Sequence, residues 1–299
     1  MVNIVWNDRL LEYDFGISHP LRSIRCKNGV EKLLKSKFEF KIVEPRYALE
    51  EEIALFHTKE YINSIKNNRG GSVETPIKDK YFPALLSVGA TLTAIESISE
   101  NNKISVNLCG GWHHAFENEA RGFCIFNDVV IGAKHAQNLG YKKIMIIDWD
   151  VHHGDGTQRA FLKDNTVYTI SIHQHPETQY PYISGYEREN TTTNLNIPIF
   201  PGMTEQDIMT KVLSQIPNEI RFFKPDMLLI QMGVDGYKYD PMSSIDLSER
   251  FYKSISTILS RCAKKNNFPV ILLGGGGFYF PKTAELWKLI VEIFEKNIK

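Results

Sequence analysis

The sequence predicts an α/β fold, a mainly parallel sheet with helices on both faces, built as a single domain over residues 1–299. Three observations carry this. Short apolar runs alternate with longer amphipathic segments almost throughout, the pattern of repeated strand–helix units. The run at 144–147 is apolar at every position, as in a strand buried on both faces. Four of the runs end in glycine, aspartate or histidine, where a parallel sheet places its ligand crevice.

Taken in order, residues 3–6 read as a first strand, and His19-Pro20 opens an ordered turn that leads to Arg22 and Arg25. A helix is predicted over 29–37, a strand over 38–43, and helices over 47–56 and 59–65. The stretch 67–80 is rich in Asn, Gly and charge and reads as a loop. Residues 82–99 form a long helix whose many small side chains suit close packing. Strand 104–108 ends in Gly110-Gly111, helix 127–139 follows, and then the strand at 144–147. Residues 166–172 alternate towards His173, and 177–193 is a long polar loop. Thr204 caps a helix over 204–223. Strand 227–232 ends at Gly233-Val234-Asp235, helix 247–265 follows, strand 270–273 runs into four glycines, and 284–295 closes the chain as a helix. No Pro/Gly/Ser-rich linker divides the sequence, and no repeat is present.

Composition narrows the function. Apolar residues make up 42% of the chain, enough for a sizeable core. Lys+Arg and Asp+Glu both total 35, so no net charge draws nucleic acid or an anionic membrane. Cys26, Cys109, Cys124 and Cys262 form no CxxC pair and read as free thiols of a reducing cytosol. The first residues lack a signal peptide's basic segment and apolar core, and no apolar run reaches the roughly 20 residues of a membrane span, so a cytoplasmic protein is expected.

The chemistry collects after the strand at 144–147. Alternate side chains of an extended segment share a face, so Asp148, Asp150 and His152 project together from its carboxyl end, and Gly154 and Gly156 let the backbone turn away. Carboxylates two residues from an imidazole suit a divalent cation of zinc type.

The segments GGWHHA, GFCIFND, DWDVHHGDG, GVDGYKYDPM and GGGGF, with HPLRSIR near the start, together resemble the histone deacetylase family of the arginase–deacetylase superfamily. They occur in the family's order over nearly the whole chain. The short length and the 73–76 loop are closer to compact bacterial and class IV members than to class I.

The resemblance implies a three-layer arginase/deacetylase-like fold and one catalytic zinc held by Asp150, His152 and Asp235, with an open position for water and a substrate carbonyl. It implies His114 as general base and then acid, His113 as an electrostatic partner, Asp148 behind His113 and Asp155 behind His114. It assigns Gly122, Phe123 and Tyr180 to the walls of an acyl-lysine tunnel, Met242 to its mouth, Arg25 to an internal channel, and Glu74 to the rim acid that grips substrate backbone. Carbonyls around Asp148, Asp150, His152, Ser171 and Ile172 match a potassium site. The implied partner is an acylated lysine peptide or a small acyl amide.

One departure matters. Family deacetylases carry tyrosine after the glycine run to hydrogen-bond the tetrahedral oxyanion, and this chain has Phe278. Losing such a donor costs about 2.7–4 kcal/mol, so weak turnover on acetyl-lysine is expected. Tyr279 replaces the hydroxyl only if the backbone twists, because consecutive extended residues face opposite ways. Two other readings stand beside a weak hydrolase. One is a zinc-bearing protein that binds acyl peptides or a partner without turnover. The other is an arginase-like binuclear manganese enzyme, against which Gly154 and Tyr237 stand where extra carboxylates are required.

Overall fold

The computed structural model describes all of residues 1–299. Its sheet has eight strands: β1 Val2–Val5, β2 Phe40–Val43, β3 Ile104–Asn107, β4 Ile144–Asp148, β5 Val167–Gln174, β6 Asn194–Ile199, β7 Met227–Gln231 and β8 Val270–Leu273. Every pairing is parallel, and the order across the sheet is β2-β1-β3-β8-β7-β4-β5-β6. The four strands with chemically rich ends, β3, β8, β7 and β4, are therefore neighbours at its centre. Their carboxyl ends form one contiguous floor.

The helices are α1 Ile24–Leu34, α2 Glu50–Ile53, α3 Lys59–Lys66, α4 Tyr81–Glu96, α5 Asp128–Asn138, α6 Asp155–Phe161, α7 Glu205–Phe223, α8 Glu249–Asn266 and α9 Phe280–Ile298. They fall into two packed groups, α7, α8, α9 and α1 on one side and α4 with α5 on the other, with the sheet between. This is the three-layer arrangement that the sequence predicts. One apolar cluster spans the strands and the long helices. A second, around α3, α4, Trp112 and Phe126, lies under the loops at the strand ends and supports them. No helix is long and apolar enough to cross a membrane.

Several boundaries differ from the sequence reading. The helix expected over 47–56 shrinks to α2, because the chain around Ala48 is pinned to α4: Ala48 N donates to Leu85 O at 3.0 Å, and a Cβ on Gly89 would stand 2.7 Å from Ala48 N. Helix α1 starts before residue 29, and α9 starts before 284 with Pro281 in its first turn, where the missing N–H costs nothing. The edge strand β6 was not anticipated, since Asn194, Asn196 and Pro198 hide its pattern; an edge position tolerates the proline. Helix α6 was not anticipated either, as its first residues belong to the glycine-rich motif. Thr204 caps α7 as expected, its side chain accepting from Asp207 N.

Candidate active site

Just beyond β4, the three expected metal ligands converge. His152 Nδ1 lies 3.0 Å from Asp150 Oδ1 and 3.1 Å from Asp235 Oδ2, and all three residues are buried. The other oxygen of each carboxylate is committed elsewhere. Asp150 Oδ2 accepts from Gln231 Nε2 at 2.8 Å and Gly276 N at 2.7 Å, and Asp235 Oδ1 accepts from Val151 N at 2.8 Å. One oxygen from each acid is thus left to face the imidazole nitrogen. Glycines make this approach possible: a Cβ on Gly233 would stand 2.8 Å from Asp150 Cγ, and one on Gly276 would stand 2.6 Å from Asp235 Cγ.

The donor set fits a tetrahedral cation. Ligand atoms roughly 2.0–2.1 Å from such a metal stand about 3.3 Å apart, near the spacings seen here. Electrostatics agree. Burial disfavours charge on His152, yet Asp150 and Asp235 overcome it and raise the imidazole to about 10. Burial and the neighbouring Asp150 push Asp235 up to about 7. Two desolvated acids draw whatever positive charge is to hand.

Beside this cluster lie two His–Asp pairs. His113 Nδ1 is 2.6 Å from Asp148 Oδ2, and His114 Nδ1 is 2.8 Å from Asp155 Oδ1. Carboxylates at the Nδ1 atoms place protons there and turn both Nε2 atoms inward, where they meet at 3.1 Å. The two rings differ in charge. Burial opposes protonation of His113, but Asp148 and Asp150 prevail and raise it to about 9. Burial and then the charge of His113 hold His114 well below the usual range. His114 is therefore the neutral ring, with an Nε2 lone pair.

A two-residue turn supplies one tunnel wall. Arg121 and Cys124 exchange both backbone hydrogen bonds, and Gly122 and Phe123 between them have φ of 55° and 69°. Positive φ at both central positions is a type I′ turn. Glycine serves the first position for a second reason, since a Cβ there would stand 2.6 Å from His114 Cγ. Phe123 faces Phe278 edge-on at 6.0 Å, and Tyr180 stands edge-on to His114 at 4.9 Å. With Leu21 and Met242 these rings enclose a cavity of about 240 Å³, with Asp150, His152 and Asp235 at its base.

The remaining expected residues are placed as follows. Arg25 is buried behind Phe278, its Nη1 donating to Gly275 O at 2.6 Å, and it lines the cavity's inner end. Glu74 lies at the mouth and accepts from Gly122 N at 3.2 Å. Ser171 pairs in register with Asp148, and Ile172 follows it, both buried beside the site rather than in the cavity. Tyr279 does not join the tunnel. Asp240 Oδ2 accepts from both Phe278 N at 2.6 Å and Tyr279 N at 2.9 Å, which anchors the segment. The Tyr279 ring turns away to stack on Tyr237 at 6.2 Å.

The sequence reading did not single out Gln231, Asp240 or Arg121. Gln231 carried a signal, a polar residue inside an apolar strand run. Asp240 sits within a matched motif. Arg121 has no local sign, because its partner Asp155 lies far along the chain.

Comparison with known proteins places this geometry. The histone deacetylase domain family matches residues 19–294. The chain is 30% identical over 308 aligned residues to the acetoin utilization protein AcuC of Staphylococcus aureus (strain COL), covering 96% of this chain and 78% of that one. It is 30% identical to histone deacetylase 8 of Xenopus laevis, covering 85% of this chain and 82% of that one. The crystal structure of a histone deacetylase homologue from Aquifex aeolicus superposes with a TM-score of 0.87 at 28% identity, over 98% of this chain and 83% of that one. The match to the family over residues 19–294, nearly the full length and spanning every strand end that builds the site, means that the chain belongs to the histone deacetylase family.

Proposed function

We propose that the protein is a zinc-dependent amide hydrolase that removes an acyl group from an acylated lysine or a small acylated amine, with weak turnover on acetyl-lysine. Family membership supports a deacetylase-type hydrolase. The observation that carries the finer reading is the convergence of Asp150 Oδ1, His152 Nδ1 and Asp235 Oδ2 beside two His–Asp pairs at the base of one cavity.

Asp150, His152 and Asp235 would hold the cation, which supplies the positive charge that polarises the substrate carbonyl and acidifies water. The chain's own groups do the rest. His114 Nε2 takes the proton of the attacking water and returns it to the departing amine nitrogen, so the C–N bond breaks as a neutral amine leaves. Asp155 keeps the His114 ring in the Nδ1–H form that frees Nε2. His113, charged against Asp148, offers an Nε2–H to developing negative charge. Phe123, Tyr180 and Phe278 exclude water and align an alkyl chain, and Met242 and Glu74 stand at the entrance. Phe278 contributes a ring and no hydroxyl, and this is the source of the weak turnover.

A single cation fits better than an arginase-like pair. A Cβ on Gly154 would stand 2.6 Å from Asp148 Oδ2, so the His113–Asp148 pair fills the space that a further carboxylate needs. A potassium ion near Asp148, Ser171 and Ile172 belongs to this reading, supported by the adjacency of Asp148 and Ser171 across β4 and β5. A cytoplasmic setting belongs to it too, supported by four free thiols.

One observation favours a second reading, a binding protein without turnover: Tyr279 turns away and leaves no hydroxyl in place of the missing one. A panel of acyl-lysine peptides and acylated amines, assayed with and without a hydroxamate chelator, decides between them. Chelator-sensitive hydrolysis of any member supports the hydrolase; tight binding of every member with no product supports the alternative.

A further inference from the structure

We propose that Arg121 is a positioning residue that fixes the Asp155 carboxylate behind His114 and, through the Tyr180 hydroxyl, ties the tunnel wall to that same pair. The inference rests on the hydrolase reading above.

The geometry is specific to this side chain. Arg121 Nη2 lies 3.1 Å from Asp155 Oδ2, the oxygen that His114 leaves free. That oxygen is buried and has no aligned hydrogen-bond donor, so the contact with Arg121 is electrostatic. Arg121 Nε donates to Tyr180 Oη at 3.3 Å. The guanidinium stacks over the Phe116 ring at 4.2 Å, which holds its plane. One rigid fork therefore touches a relay carboxylate with one nitrogen and a tunnel aromatic with another.

The placement has a backbone cause. Arg121 opens the same tight turn that presses Gly122 against His114 and sends Phe123 into the tunnel. Three consecutive residues thus address the carboxylate behind the base, the base itself and the acyl channel. Asp155 needs such a partner. It is deeply buried, and burial raises its proton affinity while Arg121 opposes the rise. An uncompensated carboxylate there would pick up a proton or swing away, and His114 would lose the acceptor that sets its tautomer.

The test separates positioning from scaffolding. In Arg121→Gln, kcat falls about 10–100-fold, the usual cost of removing a residue that orients a functional group, while KM changes far less. Nitrogen-15 spectra of the histidine side chains show His114 losing its fixed Nδ1–H signature, and Arg121→Lys, which keeps the charge, recovers it. In an Asp155→Asn background, Arg121→Gln causes no further fall. An unchanged His114 spectrum in Arg121→Gln, or undiminished effects of Arg121→Gln on top of Asp155→Asn, overturns the proposal. Should Arg121→Gln not fold, Arg121→Lys and Tyr180→Phe decide: non-additive effects on kcat support the tie, and additive effects overturn it. Failure of the wild type to hydrolyse any substrate would sink the hydrolase reading, while the spectra still judge Arg121.

Discussion

Gly122 lies flat against the imidazole of His114, with no room for even a methyl group: a Cβ would stand 2.6 Å from His114 Cγ. Gly122 also has φ of 55°, inside a turn closed by both Arg121–Cys124 hydrogen bonds, so the backbone has nowhere to retreat. Gly122→Ala should therefore displace His114 rather than unfold the chain. A misplacement of about 1 Å at a reacting group costs on the order of 10²-fold in rate. The control is Gly140→Ala, where φ is 105° and nothing lies within 4 Å. It pays backbone strain of about 1–2 kcal/mol and should keep wild-type kcat. Turnover and urea unfolding of both variants check this; equal kcat in the two would refute the contact argument.

Phe278 faces Phe123 across the cavity, backed by the Arg25 guanidinium 5.6 Å from its ring centre. The ring is in place and the donor is missing. Phe278→Tyr should raise kcat on an acetyl-lysine peptide by about 10²–10³-fold, the worth of one oxyanion donor, with KM little changed. Tyr279→Phe should leave kcat as it was, because that ring stacks on Tyr237 outside the tunnel. A loss of activity in Tyr279→Phe would mean that the segment held by Asp240 rearranges when substrate binds.

The sheet and part of the candidate metal site were legible in the sequence because they are written locally. Strand β4 ends at Asp148, so Asp150 and His152 lie just beyond the strand rather than on its face. Their close spacing marked them in the sequence, whereas Asp235, at the end of a neighbouring apolar run, joined them only through the family resemblance. The His113–Asp148 and His114–Asp155 pairs were readable through the family resemblance, since 35 and 41 residues separate the partners. Helix α6 and strand β6 were not legible, because the residues that start α6 also serve the site and those of β6 alternate polar side chains that pair inward. Asn196 Nδ2, for example, donates to Gln158 Oε1 at 2.7 Å. Arg121 and Asp240 act on groups distant in sequence, and no local pattern announces such contacts.

Asp150 and Asp235 each turn one oxygen to His152 Nδ1 and anchor the other through backbone or Gln231 donors. Such a preset donor set should bind zinc to the folded chain only, and a ligand at a hundred times its Kd stabilises by about 2.7 kcal/mol. Stripping metal with a chelator should lower Tm, and adding back one equivalent of zinc should restore it. Asp235→Asn removes one charged ligand and should abolish the restoration. Elemental analysis gives the stoichiometry; two metal ions per chain would overturn the single-cation reading.

His57 offers a test that depends on neither metal nor substrate. It is buried, and its Nε2 accepts from Asn127 N at 3.0 Å. Asn127 in turn caps α5 and donates to His113 O at 3.1 Å, so His57 supports the site's backbone. Burial lowers its affinity for protons to about 3, against about 6.5 for an exposed histidine. The sign follows from where protons bind. Below about pH 6.5 the unfolded chain takes up a proton that the folded chain refuses, so stability is complete above that pH and is lost progressively as pH falls towards about 3. At pH 5 the loss from this residue is about 2 kcal/mol. His173, lowered to about 4 by burial, adds to the slope in the same direction. In His57→Gln an amide oxygen can accept from Asn127 N and carries no titrating group, so its stability should fall about 2 kcal/mol less than the wild type between pH 7 and pH 5. Contributions from the other histidines are common to both proteins and cancel in the difference. Urea unfolding at the two pH values measures it, and identical losses in the two proteins would show that His57 is not held neutral by its burial.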